Sequence, residues 1–226
     1  MSAIRFSKYS IAFALLLPLA AQAQYDEEEA YGYPDTLIAV TNAVKFDPVQ
    51  ILHGDFRFYY ERMIGKRWSA EASFGPTRRN YTASIFQYEL DDLGANVNIQ
   101  TRYAAGLSVR RYFWETDELY GLYLAGAVVH RLHEKSHSVI GTDGDLTGDV
   151  FEDSRRYTDF VLMVGYQALT LGSNIFFDFY AGAGARYRDF DVLRSSDLND
   201  PGAYAVTSEQ SWIGTFVVGV KLGVGF

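Results

Sequence analysis

The chain has 226 residues, 20 Lys and Arg against 28 Asp and Glu, a formal charge of −8 and no cysteine. An acidic balance argues against nucleic acid as a partner. The lack of thiols excludes a disulfide framework, a lipid-modified cysteine, thiol catalysis and cysteine metal centres.

Aromatic residues are plentiful, with 17 Tyr, 16 Phe and 3 Trp, yet mean hydropathy is near neutral. No stretch is long and apolar enough for a membrane-spanning helix. Apolar residues dispersed by alternation, each strand keeping one polar face, account for both facts.

The first residues predict a cleaved export signal. Arg5 and Lys8 give a positive start, Ile11 to Ala20 a short apolar stretch, and Ala21-Gln22-Ala23 a small-x-small cleavage site. Removal of residues 1–23, which carry no acid, leaves 203 residues and a formal charge of −10. Residues 24–34 hold Asp26, Glu27, Glu28 and Glu29 without a period and read as a periplasmic lead-in. Residues 35–226 carry the fold.

Eight alternating runs follow in chain order. The first, about Thr36 to Phe46, sets Ile38, Val40, Val44 and Phe46 on one face. The second, Asp55 to Met63, sets Phe56, Phe58 and Tyr60 against Arg57, Tyr59 and Glu61. After a Gly65-Lys66 turn, the third, Arg67 to Gly75, sets Trp68, Ala70, Ala72 and Phe74 against Ser69, Glu71 and Ser73. The fourth, about Asn98 to Phe113, sets Tyr103, Leu107 and Val109 against Arg102, Ser108 and Arg110.

The fifth, Leu119 to Leu132, places Leu122, Leu124 and Val128 opposite Tyr123, Ala125 and Arg131. The sixth, Arg156 to Leu169, places Phe160, Leu162 and Val164 opposite Asp159, Met163 and Gln167. The seventh, Ile175 to Phe190, places Phe177, Phe179 and Ala181 opposite Asp178, Tyr180, Arg186 and Arg188. The eighth begins near Glu209 and alternates to the last residue, Phe226, with Lys221 on its polar side.

Connections alternate in length. Gly65-Lys66, Glu115 to Glu118 and Thr170 to Asn174 are short, whereas Pro76 to Val97, His133 to Arg155 and Asp191 to Ser208 are long and polar. Asp47 to Gly54 is a further short loop on the long-loop side. Short turns on one side and long loops on the other are the habit of membrane barrels. The expected fold is therefore all-β, an eight-stranded antiparallel up-and-down transmembrane β-barrel.

In that fold the apolar parity meets lipid, with Trp68, Tyr103, Phe113, Tyr120, Tyr187, Trp212 and Phe226 as candidates for the interfacial girdles. The other parity points inward. Eight strands leave an interior just wide enough for side chains. Arg57, Glu61, Glu71, Arg102, Arg110, Asp178, Arg186, Arg188 and Lys221, with Arg131 and Asp159 on the same parity, are expected to pair there as a lumen network. This predicts an ionic plug rather than an open pore.

Other candidate chemistry is weaker. Asp143, Asp145 and Asp149 resemble the start of an EF-hand calcium loop, but position five is Thr147 and position twelve Ser154, so the segment reads as an acidic loop tip. His130, His133 and His137 are close in sequence without the fixed geometry a metal requires. Ser136, His137 and Ser138 supply a nucleophile and a base type for a lipid-modifying enzyme, with no spacing that fixes a third group. No cofactor is expected.

The signal segment, the run Phe56-Arg-Phe-Tyr-Tyr-Glu61 before a tight turn, the run Asp178-Phe-Tyr-Ala-Gly-Ala-Gly-Ala-Arg186 and the terminal Phe226 together resemble the small OmpA/OmpX-type eight-stranded barrels. They resemble more closely the broad family of uncharacterised bacterial outer-membrane β-barrel domains. The resemblance implies residence in the Gram-negative outer membrane, with its lipid as surroundings. It also implies insertion by the outer-membrane assembly machinery, with Phe226 as the recognition element. It leaves function open among a structural or surface-interaction protein whose long loops meet external ligands, a narrow channel, and a lipid-modifying enzyme.

Overall fold

The alternation seen in the sequence becomes a ring of strands. The computed structural model describes residues 39–78, 95–140, 146–170, 174–197 and 200–226. The expected signal and acidic lead-in lie outside the described residues, as do Asp143 and Asp145. The strands are β1 Asn42–Phe46, β2 Phe58–Gly65, β3 Trp68–Thr77, β4 Ala95–Gln100, β5 Arg102–Tyr112, β6 Gly121–Ile140, β7 Leu146–Leu169, β8 Ile175–Asp197 and β9 Asp200–Gly225. Among the described residues the one helical element is a short 3-10 turn, η1, at Val49–His53.

Every pairing is antiparallel. β1 pairs with both β2 and β9, and β6 with both β5 and β7, which closes a ring of eight strands compatible with a β-barrel. β4 continues β5 along the edge of β6. Between Gln100↔Glu134 and Ala104↔Arg131 one strand advances four residues and the other three, so a bulge joins β4 to β5.

The register fixes the ring's size. Followed strand by strand from Phe46, the partners run Phe58, Phe74, Ala105, His130, Thr158, Tyr187 and Trp212. Phe46 itself pairs with Leu222, ten residues beyond Trp212 on β9. With a rise of about 3.3 Å per residue and strands about 4.8 Å apart, that stagger tilts the strands by about 40° and makes a ring about 16 Å across. Such a ring holds side chains and little else.

The two ends differ. The strand ends joined from β2 to β3, β5 to β6 and β7 to β8 lie at one end. At the other, β6 and β7 stay paired as far as Ile140↔Leu146, and β8 and β9 as far as Asp197↔Asp200. The wall is therefore tall along β4–β9 and low along β1–β3. Most of the expected loops His133 to Arg155 and Asp191 to Ser208 are continued hairpins. Beyond the apolar band both faces of these strands are polar, so the two-residue period that reveals a strand disappears there.

Where β1 stops, the Asp47–Arg57 segment takes the place of wall. Asp47 Oδ1 accepts from the Val49 and Gln50 amides at 2.9 and 3.3 Å, and Gly54 ends η1 in the left-handed region with φ 71°. The segment turns Asp47, Gln50 and Asp55 into the interior, all three buried.

The outside is apolar. Phe58, Phe74, Leu107, Val109, Leu124, Phe160, Leu162, Val164, Phe179, Phe216 and Val218 are all exposed there, Leu107 at 69% and Phe216 at 86%. Arg62 and Arg111 face outward toward the short-turn end, and Arg156 and Asp189 toward the tall end; the described outward positions between them carry no charge. Trp68, Phe113 and Phe226 lie on the outside near the short turns, and Tyr103, Tyr187 and Trp212 toward the tall end. Val40, assigned to the same outward face by parity, is instead buried with Leu119 and Phe176. It lies before β1, and its carbonyl accepts from the Leu119 amide at 2.9 Å.

The charged interior as candidate functional site

Six charges from six strands meet at one level. Lys45, Glu61, Glu71, Arg110, Asp178 and Lys221 come from β1, β2, β3, β5, β8 and β9, and all are buried. The register places Glu61 directly opposite Glu71, and Asp178 directly opposite Lys221. Two carboxylates facing across a strand pair repel unless cations intervene. Here Lys45 Nζ binds Glu61, Asp178 at 3.0 Å and Glu71 at 3.4 Å. Arg110 reaches Glu71 at 2.5 Å, Asp178 at 2.8 Å and Glu61 at 3.2 Å, and Lys221 reaches Glu71 at 2.6 Å. Three cations balance three anions.

Hydroxyls and rings complete the cluster. Tyr123 donates to Asp178 at 2.6 Å, Tyr112 to Glu61 at 3.1 Å, and Ser69 to Glu61. The Arg110 guanidinium lies 4.5 Å from the Tyr123 ring centre, and Lys221 Nζ 4.1 Å from that of Tyr59. Within the cluster, Arg110 Nε is left without an acceptor among the described residues. Glu61, Glu71 and Asp178 bring carboxylate oxygens within 4.8 Å of one another. Lys45 and Arg110 already occupy the space between them as counter-ions, so the set does not fit a bound metal ion.

A second chain of pairs lies nearer the tall end. Asp55 joins Arg57 at 2.8 Å to Arg131 at 2.9 Å, and Asp159 joins Arg131 at 2.5 Å to Arg186 at 2.5 Å. A cavity of about 40 Å³, lined by Gln50, Tyr59, Ser73, Met163 and Tyr180 among others, separates the two layers. It has room for about three waters. At the short-turn end the interior is apolar, filled by Val40, Ala43, Leu119 and Phe176. Ions, rings and aliphatic groups thus occupy successive levels.

Of the nine expected network residues, Glu61, Glu71, Arg110, Asp178 and Lys221 lie in the central cluster. Arg57 and Arg186 lie in the second chain. Arg102 pairs with Glu134 and with Gln100 at 2.6 Å, apart from both layers, beside the bulge that turns the register. Arg188 donates to Ser211 at 3.0 Å and sits over Phe190. The network also contains Lys45 and Asp55, which sequence reasoning missed. Lys45 was detectable, since it stands between outward Val44 and Phe46; Asp55 precedes β2, where no period applies.

Other candidates separate. His130 meets Thr158 Oγ1 at 3.1 Å and His133 meets the Arg78 carbonyl at 2.8 Å, from opposite faces of β6. The side chains of His137 and Asp149 lie outside the described residues. Phe226 exchanges backbone hydrogen bonds with Asn42 at 2.8 and 2.9 Å, and the residue is exposed. No protein-family model, curated protein or solved structure matches this chain.

Proposed function

We propose that the protein is an integral outer-membrane β-barrel with a sealed interior, exported by its N-terminal signal, whose tall wall projects from the membrane to meet external ligands. The observation that carries this reading is the charge-free apolar outer band between Arg62 and Arg111 at one end and Arg156 at the other. Soluble monomers rarely expose apolar patches beyond a few hundred Å², and this band encircles the ring. In hydrocarbon every backbone polar group needs an internal partner, which a closed ring of strands supplies. The aromatic residues at both margins fit the lipid–water boundaries.

The filled interior favours a structural, surface-interacting role over a channel, because paired charges and the Leu119–Phe176 packing occupy the path a water file needs. In this reading Phe226 marks the closing strand for the outer-membrane assembly machinery. Fractionation of cells producing the full chain and a form lacking Phe226 tests the assignment. The full chain is expected in the outer-membrane fraction, with its yield cut sharply by the deletion; equal yields, or a soluble full chain, refute it.

A further inference from the structure

Around and above the Arg57–Arg186 chain of pairs, cations slightly outnumber acids on the described inner side of the tall wall, while acids outnumber cations on its outer side. At and above the level of Arg186, strands β6–β8 turn Lys135, Arg155, Arg186 and Arg188 inward around Tyr157 and Phe190, with Asp153, Asp159 and, from β9, Glu209 on the same side. On the outer side β7 and β8 carry Glu152, Asp189 and Asp191 against Arg156. The chain as a whole has a charge of −8, so an inner side on which cations outnumber acids runs against its overall balance.

The inner guanidinium groups are held by rings. Arg186 lies 5.1 Å from the Tyr157 ring centre, Arg188 5.5 Å and Arg155 6.0 Å from that of Phe190. The two rings meet edge to face at 5.1 Å. Stacking fixes the plane of a guanidinium and leaves its edge N–H groups to point sideways. Asp153 accepts from Arg155 at 2.9 Å, and Asp159 is shared by Arg131 and Arg186. Arg188 differs from these: it is half-buried, its Nε donates to Ser211 at 3.0 Å, and it meets no carboxylate among the described residues.

We propose that this upper interior binds a multiply charged oxyanion, bearing phosphate or carboxylate groups, with Arg188 as the anchoring guanidinium. With Nε given to Ser211, the Nη1–Nη2 edge of the planar guanidinium matches an oxyanion in bidentate fashion. A cleft walled by protein focuses the field of its cations on such a ligand. The inference deepens the surface-interaction reading by naming the ligand's chemistry, and it rests on that reading for the ligand's access from outside.

Calorimetric titration of the full-length protein, folded in a non-ionic detergent, with tripolyphosphate and with citrate tests it. Saturable binding of at least one probe is expected, weakened tenfold or more by Arg188→Ala and by Arg188→Gln, which keeps a donor for Ser211. Arg62→Ala, on the outer face near the short turns, should leave binding unchanged. The stronger probe assigns phosphate or carboxylate as the preferred group. No saturable binding of either probe, equal binding by wild type and both Arg188 variants, or equal weakening by Arg62→Ala overturns the proposal. The same samples run unboiled and boiled on a gel report whether the ring formed, so a failed fold is told apart from a failed site.

Discussion

Arg110 Nη1 and Asp178 Oδ2 stand 2.8 Å apart in the interior, although their strands, β5 and β8, share no pairing. The bond crosses the ring and ties two walls that backbone hydrogen bonds do not join. Arg110 also holds Glu61 and Glu71. Arg110→Ala therefore leaves three buried carboxylates facing two lysines, and a loss of about 3–5 kcal/mol is expected. Urea unfolding of wild type and variant, followed by tryptophan fluorescence, measures it; an unchanged midpoint would show that the cluster does not stabilise the fold.

Leu107 distinguishes lipid from water as the surroundings. It lies 69% exposed on the outer face, with no charged neighbour on that face beside it. In a bilayer Leu107→Arg should cost about 2–4 kcal/mol, whereas a solvent-exposed strand position would change stability by about 0.5 kcal/mol or less. Folding free energies of the two proteins in lipid vesicles supply the comparison.

Gly184 and Gly126 predict opposite responses to the same change. A Cβ at inward Gly184 would strike the Phe160 carbonyl and come within 2.8 Å of the Val161 Cα. These are backbone atoms of the paired strand and cannot step aside. At outward Gly126 the nearest atom is a Leu162 methyl at 3.9 Å, an ordinary contact. Gly184→Ala should lose about 1–3 kcal/mol and Gly126→Ala little, as read from their unfolding midpoints.

The layered interior makes a prediction about conduction. With a cavity of only about 40 Å³ between two ionic layers, and Val40, Leu119 and Phe176 beneath them, protein reconstituted in a planar bilayer should show no steady current. Reproducible conductance steps from wild type would contradict the plug.

Much of this arrangement was legible in the sequence where lipid-type and interior-type residues alternate. Glu61, Glu71, Arg110, Asp178 and Lys221 each sit between outward residues, so parity alone sends them to one face. Their meeting at one level was not legible, because it depends on the ten-residue stagger, a property of ring closure that no single strand carries. The bulge between Gln100 and Ala104 hid the split of β4 from β5 and set Arg102 apart from the network. The upper hairpins look like loops in the sequence because polar residues such as Lys135, Arg155 and Asp191 fall on both faces of their strands. Val40 followed the right parity into the wrong place, since the strand begins only at Asn42.

The most direct test of the central claim, that hydrocarbon surrounds the Phe58–Phe216 face while the charges lie within, is refolding of the chain lacking residues 1–23 with and without an amphiphile. The account predicts a β-rich, monodisperse, heat-modifiable species only when detergent or lipid is present, and aggregation in buffer alone. A folded, monodisperse protein in buffer without any amphiphile would contradict it.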